Sequence, residues 1–448
     1  MSNIEGLIPD SAGVVVVGAT HRAVTELARN GLQGVSTMHS LLYRPMFKPC
    51  VQQAINALAL CDFENWPDEL PTPSVAEFNM ACEVYQTQGE GRAFAALDLS
   101  PMDWLDLSQG NQGWALRGAG AARYKVVIVD EAGVLGAHHL HTLRGMCDTL
   151  ILLGDQARQL QPIITDAARD AAADVSQLYS AMGPKVLESV GAQRLVLKHN
   201  MRGGSVIQRA SDIIFEPLPN GQLRSFHQVL EAILEECGPT IVSSAFVPLE
   251  EVRAGSPLFV FRNIPRMNLA LWARQAMGVP TDDAPLQVGE PLTVAWVRPA
   301  MRAQMPNVMV KNSRWIVTGT HPSGRVDLVF VGDRRVTVSR MALGVREYEG
   351  GDTQKWKALH GEPYPVIGMR DPDVIAVFGT CLTAERGMGD TVDTSMVLVS
   401  EFRELARLGF KDDEDGLETW RRKLNVAITR ARNKVVLCFG HEFKESGA

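Results

Sequence analysis

Two short apolar runs that end in acidic residues define the chemistry open to this 448-residue chain. The run VVIV at 126–129 ends in Asp130-Glu131, and LILL at 150–153 ends in Gly154-Asp155-Gln156. Each run is too short for a helix and rich in branched residues, so each reads as a strand buried on both faces. A parallel sheet binds ligands at the carboxyl ends of its strands. Carboxylates placed there suit magnesium, which takes oxygen ligands and keeps several waters. A nucleoside triphosphate site uses one carboxylate near the metal and one to orient the attacking water. Asp130 and Glu131 have the types and the position for those two jobs. A solvated strand end is the plain alternative for the same residues.

The elements that must hold this tip follow from the rest of the pattern. VVVV at 14–17 is another short strand, running into Gly18-Ala19-Thr20-His21-Arg22 and a helix over 23–30. Val35-Ser36-Thr37-Met38-His39-Ser40 then opens a short helix towards Tyr43. Gly13 to Thr20 has the G-x-x-x-x-G spacing of a phosphate loop, but Ala19 replaces its lysine and four valines make a strand. No G-x-x-x-x-G-K-[ST] occurs in the chain. Residues 45–124 are weakly patterned and read as an insertion, with a helix over 74–86. Trp66, Trp104 and Trp114 there serve a small core or stack on bases.

Beyond Pro162, helices are expected over 166–179, 205–215, 266–278 and 421–432, and strands over 194–197, 240–242, 258–261, 374–378, 396–399 and 435–439. Between 291 and 372 the period changes to short strands with turns at Pro322-Ser323-Gly324 and Gly332-Asp333, the pattern of a small β-barrel or sandwich.

Bulk properties narrow the class. Length alone suggests about three domains. No apolar run is long enough to span a bilayer, and MSNIEGLIPD lacks the basic region and apolar core of a signal peptide. The 7 cysteines include no C-x-x-C pair, which argues against zinc clusters and disulfide frameworks and for a reducing, cytoplasmic setting. A net charge of −7 excludes a generally basic nucleic-acid coat, so any such contact needs a local groove.

Taken together, the motifs resemble superfamily 1 helicases, in particular the RecD/Dda-like branch of 5′→3′ DNA helicases, from about Val14 to Phe439. VVVVGATH with Thr37-Met38-His39 looks like the region that contacts single-stranded DNA, which would assign DNA contacts to Thr20, His21, Arg22, Thr37 and His39. VVIVDEAG resembles Walker B, implying Asp130 towards Mg²⁺ and Glu131 as the water-orienting base. GDQARQL is similar to G-D-x-x-Q-L with one residue too many, so Gln159, or alternatively Gln156, would sense the γ-phosphate. LKHNMR resembles motif IV, with Arg202 reaching nucleotide phosphates, and NVAITRAR resembles motif VI, with Arg430 as the arginine finger. LTAERGMGD stands where the family has T-x-H-K-x-Q-G, which would give DNA contacts to Thr383 and Arg386 and a nucleotide contact to Gly389.

The resemblance implies an α/β fold of two RecA-like P-loop NTPase domains, parallel sheets with helices on both faces, and a small β-rich SH3-like insert in the second. The first domain would be 1–185 with an insertion at about 45–124, the second 186–290 and 373–448, and the insert 291–372. The implied activity is ATP-dependent movement along single-stranded DNA and unwinding from duplex ends, with ATP and Mg²⁺ as cofactors. Two departures stand out. Glu385 and Met388 replace the family's histidine and glutamine, and only 13 residues precede the 14–17 strand, where the family has its Walker A loop. A start just after that loop is the expectation, with an upstream P-loop segment or other replication and recombination proteins as partners. It would expose apolar surface on the 14–17 and 126–129 strands. The competing expectation is a helicase-like protein that binds nucleic acid or a partner without hydrolysing ATP.

Overall fold

The computed structural model describes residues 13–29, 31–32, 34–88, 93–94, 96–97, 99, 114–116, 124–155, 158, 160, 162, 174, 178–195, 204–279, 286–297, 313–321, 326–330, 335–338, 341–343, 374–387, 391–411 and 416–445. The expected helix at 166–179 falls mostly outside them.

The N-terminal part contains β1 (Val14–Gly18), α1 (His21–Arg29), β2 (Ser36–Thr37), α2 (Met38–Leu42), β3 (Tyr43–Pro45), α3 (Pro49–Leu60), α4 (Val75–Gln88), β4 (Trp114–Leu116), β5 (Tyr124–Asp130), α5 (Ala137–Gly145), β6 (Cys147–Leu152) and α6 (Pro184–Ser189). β2, β1, β5 and β6 form a parallel sheet in that order. Val17, Val127 and Val129 are fully buried and pack with Met38, Leu42, Leu140 and Leu143 from α2 and α5. Val14, Val15, Val16, Val126 and Ile128 are only half-buried. One expectation is corrected. β6 is not buried on both faces: among the described residues it is the edge strand, and Ile151 and Leu153 are 40% and 37% exposed.

Within the insertion, α3 and α4 form a separate core in which Trp66 packs edge-on to Phe78 at 5.7 Å. Its indole N–H donates to the Pro71 carbonyl at 3.3 Å, so Trp66 is a core residue here. Trp104 and the Trp114 side chain lie outside the described residues.

The C-terminal part contains α7 (Ser205–Phe215), α8 (Phe226–Cys237), β7 (Ile241–Ser244), β8 (Val247–Pro248), α9 (Leu249–Arg253), β9 (Leu258–Val260), α10 (Asn263–Ala276), β10 (Pro291–Val297), β11 (Arg314–Thr320), β12 (Val326–Phe330), β13 (Arg335–Val338), β14 (Met341–Leu343), β15 (Val374–Phe378), β16 (Cys381–Thr383), α11 (Ala384–Gly387), β17 (Val392–Leu398), α12 (Val399–Leu408), α13 (Thr419–Thr429), β18 (Ala431–Cys438) and β19 (Phe443–Lys444). β16, β9, β17, β18 and β7 form a second all-parallel sheet. Side chains alternate across a strand, and here both faces are apolar. Phe259, Val397, Val435 and Leu437 face α7, α8, α12 and α13. Leu258, Val260, Met396, Leu398 and Val436 face α10 and a second β-layer.

That second layer is a 6-stranded sheet in the order β13-β12-β11-β10-β15-β14. It is antiparallel except for β14 beside β15. The sequence pattern assigns 374–378 to the resumed α/β part. In the fold it is β15, paired antiparallel with β10 from Leu292↔Phe378 to Val297↔Val374, which draws it into the β-rich layer. Of the strand expected at 194–197, residues 194–195 have no regular structure and Leu195 is 94% exposed, while 196–197 lie outside the described residues.

The architecture is α/β, with two parallel sheets packed against helices. Among the described residues no helix is long and apolar enough to cross a membrane.

Candidate functional site

Register assembles the first cluster. Gly18 pairs with Thr37 on β2 and with Asp130 on β5, so the carboxyl ends of all three strands finish in one row. The chain turns directly from Gly18 into α1. A Cβ at Gly18 would lie 2.7 Å from the Val24 backbone nitrogen, so only glycine permits this turn. Thr20 caps α1, its Oγ1 accepting from Ala23 N–H at 3.1 Å, and donates to Glu131 Oε2 at 3.0 Å. The strand tip of β1 thus holds the carboxylate at the tip of β5.

Glu131 has a left-handed backbone, φ 56°. A non-glycine residue in that region is strained, and such strain concentrates at functional sites. Its N–H donates to Asp130 Oδ1 at 3.0 Å. Two adjacent carboxylates therefore project from one strand end, half-buried, with a hydroxyl holding one of them. Their oxygens have the chemistry magnesium takes. Residues 13–20 do not fit a triphosphate: 14–18 is strand and no lysine is present. Among the described residues no group of three or more His, Cys, Asp or Glu side chains gathers to hold a metal.

Beside this row stands an imidazole cluster. Thr37 caps α2, accepting from Ser40 N–H at 3.2 Å, which gives its hydroxyl a structural task. His39 stacks on Tyr43 at 4.8 Å and lies 6.1 Å from His139, whose ring is 3.8 Å from His138. Burial and the His138 charge lower the pKa of His39. Burial, then His138 and His39, push His139 down to about 3. Both shifts run in one direction: below pH 6.5 the unfolded chain takes up protons that the folded chain refuses. Stability is therefore present in full above the unfolded pKa and lost as pH falls from about 6.5 towards 3. Urea unfolding midpoints should decline over that interval, and His139→Phe should flatten the decline. Equal slopes in parent and variant would remove this cluster as the cause.

The third group joins the loop after β6 to the C-terminal part. Arg158 N–H donates to Asp155 Oδ1 at 3.1 Å. Its guanidinium reaches Ser211 Oγ at 3.0 Å and Asp212 Oδ1 at 2.7 Å on α7. Asn425 of α13 donates to the Arg158 carbonyl at 3.1 Å and accepts from Ser211 Oγ at 2.7 Å. Leu160 packs on Ala384 and Val426. Arg158 and Leu160 of this loop thereby meet α7, α11 and α13. Motif reading missed Arg158 and Asn425. The one signal for Arg158 was the extra residue in that loop.

Arg430 closes α13 and is 9% exposed, with Nη2 near Thr429 Oγ1 at 3.4 Å. The expected helix over 421–432 ends at Thr429, because Ala431 already pairs with Val392 in β18. Thr383 ends β16 and is 5% exposed. Arg386 lies behind it in α11, where burial lowers its pKa and Glu385 partly offsets this. Burial and the Arg386 charge push Arg266 down to about 9. Of these candidate DNA contacts, Thr383 is buried and Arg386 half-buried. Glu385, which stands where the family has histidine, is ion-paired with Lys423 of α13, and Lys423 lies 4.8 Å from the Phe261 ring centroid. Gln156, Gln159, Arg202 and Gly389 fall outside the described residues, as do the side chains of His21 and Arg22.

No protein-family model matches the chain, and no curated protein matches it. Similar solved structures include a Bacteroides Pif1 bound to single-stranded DNA, at 12% identity and a TM-score of 0.46, covering 97% of this chain and 84% of that one. Bacteroides Pif1 helicase with ADP-AlF3 and single-stranded DNA gives 13% identity, a TM-score of 0.47 and the coverage 97% and 84%. Candida albicans Pif1 helicase gives 13% identity and a TM-score of 0.43, covering 98% and 87%.

Proposed function

We propose that this chain is the motor part of a superfamily 1-type DNA helicase, coupling ATP hydrolysis to movement along single-stranded DNA. The observation that carries the reading is the row at the β1 and β5 tips, where Thr20 holds Glu131 beside Asp130. The contacts of Arg158 with α7 and α13 support it, because a motor needs its two nucleotide-facing halves to communicate. In this reading Asp130 takes Mg²⁺, Glu131 orients water, and Arg430 is delivered from α13. Gln159 and Arg202 face phosphates, and His39, with the 20–22 turn, meets DNA. The RecD/Dda-like polarity and a cytoplasmic setting belong to the same proposal, as do two RecA-like domains with an SH3-like insert.

The second reading is a helicase-like protein that binds without hydrolysis. Glu385 and Met388, which stand where the resembled family has histidine and glutamine, favour it.

Arg430→Ala separates the two. It is made both in residues 1–448 and in the same chain extended upstream by a strand–G-x-x-x-x-G-K-[ST]–helix segment. If the extended parent turns over ATP with single-stranded DNA present, the variant should lose at least about a hundredfold, since an arginine in this role is worth roughly 10³–10⁵ in rate. Unchanged turnover in a folded variant would remove Arg430 from the mechanism. An extended parent that binds ATP but never hydrolyses it would favour the second reading.

A further inference from the structure

The bonds that tie the loop after β6 to the C-terminal part close into a ring. Arg158 Nη1 donates to Ser211 Oγ at 3.0 Å, and Ser211 Oγ donates to Asn425 Oδ1 at 2.7 Å. Asn425 Nδ2 then donates back to the Arg158 carbonyl at 3.1 Å. Ser211 and Asn425 are 3% and 6% exposed, so water competes little for these bonds. A satisfied buried network of this kind holds one geometry. The Arg158 guanidinium is braced further on α7: Nη1 is 2.7 Å from Asp212 Oδ1, which also accepts from Gln208 Nε2 at 2.9 Å, and Cζ lies 5.6 Å from the Phe215 ring centroid.

The ring has an arm on each side. On the N-terminal side, Arg158 N–H donates to Asp155 Oδ1 at 3.1 Å, just past the end of β6 at Leu152. β6 lies beside β5, whose tip carries Asp130 and Glu131. On the C-terminal side, the Asn425 carbonyl accepts from Thr429 Oγ1 at 2.8 Å, and Arg430 Nη2 lies 3.4 Å from that oxygen. A continuous chain of hydrogen bonds thus runs from the tip of β6 to the arginine that closes α13.

We propose, resting on the helicase reading above, that Arg158 and Asn425 are positioning residues. Their ring latches α13 to the loop after β6 and so sets where Arg430 sits relative to the β5 carboxylates. Both act through Arg430. A misplacement of about 1 Å, caused by a change away from the chemistry, can cost on the order of a hundredfold in rate.

The test has two arms. The first needs no activity. The 448-residue chain carries Cys61→Ser and Cys50→Ser, with spin labels on His141→Cys of α5 and Glu235→Cys of α8, both exposed positions. Pulsed dipolar spectroscopy should read one narrow distance in the parent. Arg158→Ala and Asn425→Ala should each broaden or shift it. Arg209→Ala, which removes exposed ion pairs from α7 to Glu216 and Glu236, should read as the parent. A broad distribution in the parent, or an unchanged one in both latch variants, would overturn the latch. The second arm uses the chain extended by the phosphate-binding segment. Each latch variant should lower kcat by roughly ten- to a hundredfold and leave KM for ATP within a few-fold. Combined with Arg430→Ala, neither should slow turnover further, because nothing is left to position. Losses that add would mark a merely structural brace and sink the positioning role. An extended parent without turnover counts against the helicase reading instead, and the distance arm then decides the latch alone. The Arg158 side chain is 28% exposed, so its alanine variant carries both arms even if Asn425→Ala does not fold.

Discussion

Glu131→Gln is expected to lower DNA-stimulated ATP turnover by about 10²–10⁴, the usual range for a positioned acid–base group. The assay uses the chain extended with a phosphate-binding segment. The change is nearly isosteric, and glutamine can still accept the 3.0 Å hydrogen bond from Thr20, so the row of strand tips should survive. What disappears is the negative charge that would draw a proton from the attacking water. Nucleotide affinity should stay within a few-fold, because in this reading Asp130 serves the metal. Thr20→Val tests the support separately: the carboxylate is kept but no longer held, and a smaller loss is expected. If Glu131→Gln turns over within threefold of the parent, Glu131 is a solvated strand end and the catalytic assignment fails.

The strand tips of this cluster are legible in the amino-acid sequence. The valine runs at 14–17 and 126–129 declare buried parallel strands, and polar residues after such runs must lie at their carboxyl ends. The parallel register of β1 and β5 then makes Thr20 a neighbour of Glu131. The left-handed backbone at Glu131 was not readable, since nothing in the residue type demands it. The status of β6 was missed for a related reason. LILL specifies an apolar strand, but whether it is central or at an edge depends on which strands pair with it. At 430–432 tertiary pairing overrides a helix-compatible pattern, and Ala431 joins β18. The bridge from Arg158 to Asp212 and Asn425 spans sequence separations of 54 and 267 residues, beyond the reach of local periodicity.

At 385 the sequence has glutamate where the resembled family has histidine. In the fold the charge is paired with Lys423, and α11 is tied to α13. Gly387 shows how tightly α11 is set, because a Cβ there would fall 2.2 Å from Phe259 Cε1. The one-turn helix that contains Glu385 and Arg386 is thus fixed by packing and by an ion pair to α13.

The largest stability effect is expected where α10 meets the β-rich layer. Arg274 Nε donates to Glu290 Oε1 at 2.5 Å, and the two side chains are only 2% and 5% exposed. Glu290 Oε2 also accepts from Gln287 N–H at 2.7 Å, and the Arg274 guanidinium lies 4.5 Å from the Phe378 ring centroid. Desolvating both charges costs nearly as much as their attraction returns, so the intact pair adds little net stability. Removing one partner is a different matter. Glu290→Ala would leave a guanidinium buried between α10 and β15 with its carboxylate gone, at a cost of about 3–5 kcal/mol. Replacing both, as Arg274→Met with Glu290→Leu, should recover most of that loss, since apolar side chains of similar volume need no compensation there. Denaturant unfolding of the single and double variants measures the difference. A single-variant cost below about 1 kcal/mol, the scale of an exposed pair, would mean that water reaches Arg274 at this junction. A double variant no more stable than the single would mean that the pair is held for its geometry, with α10 and β10 unable to pack without it.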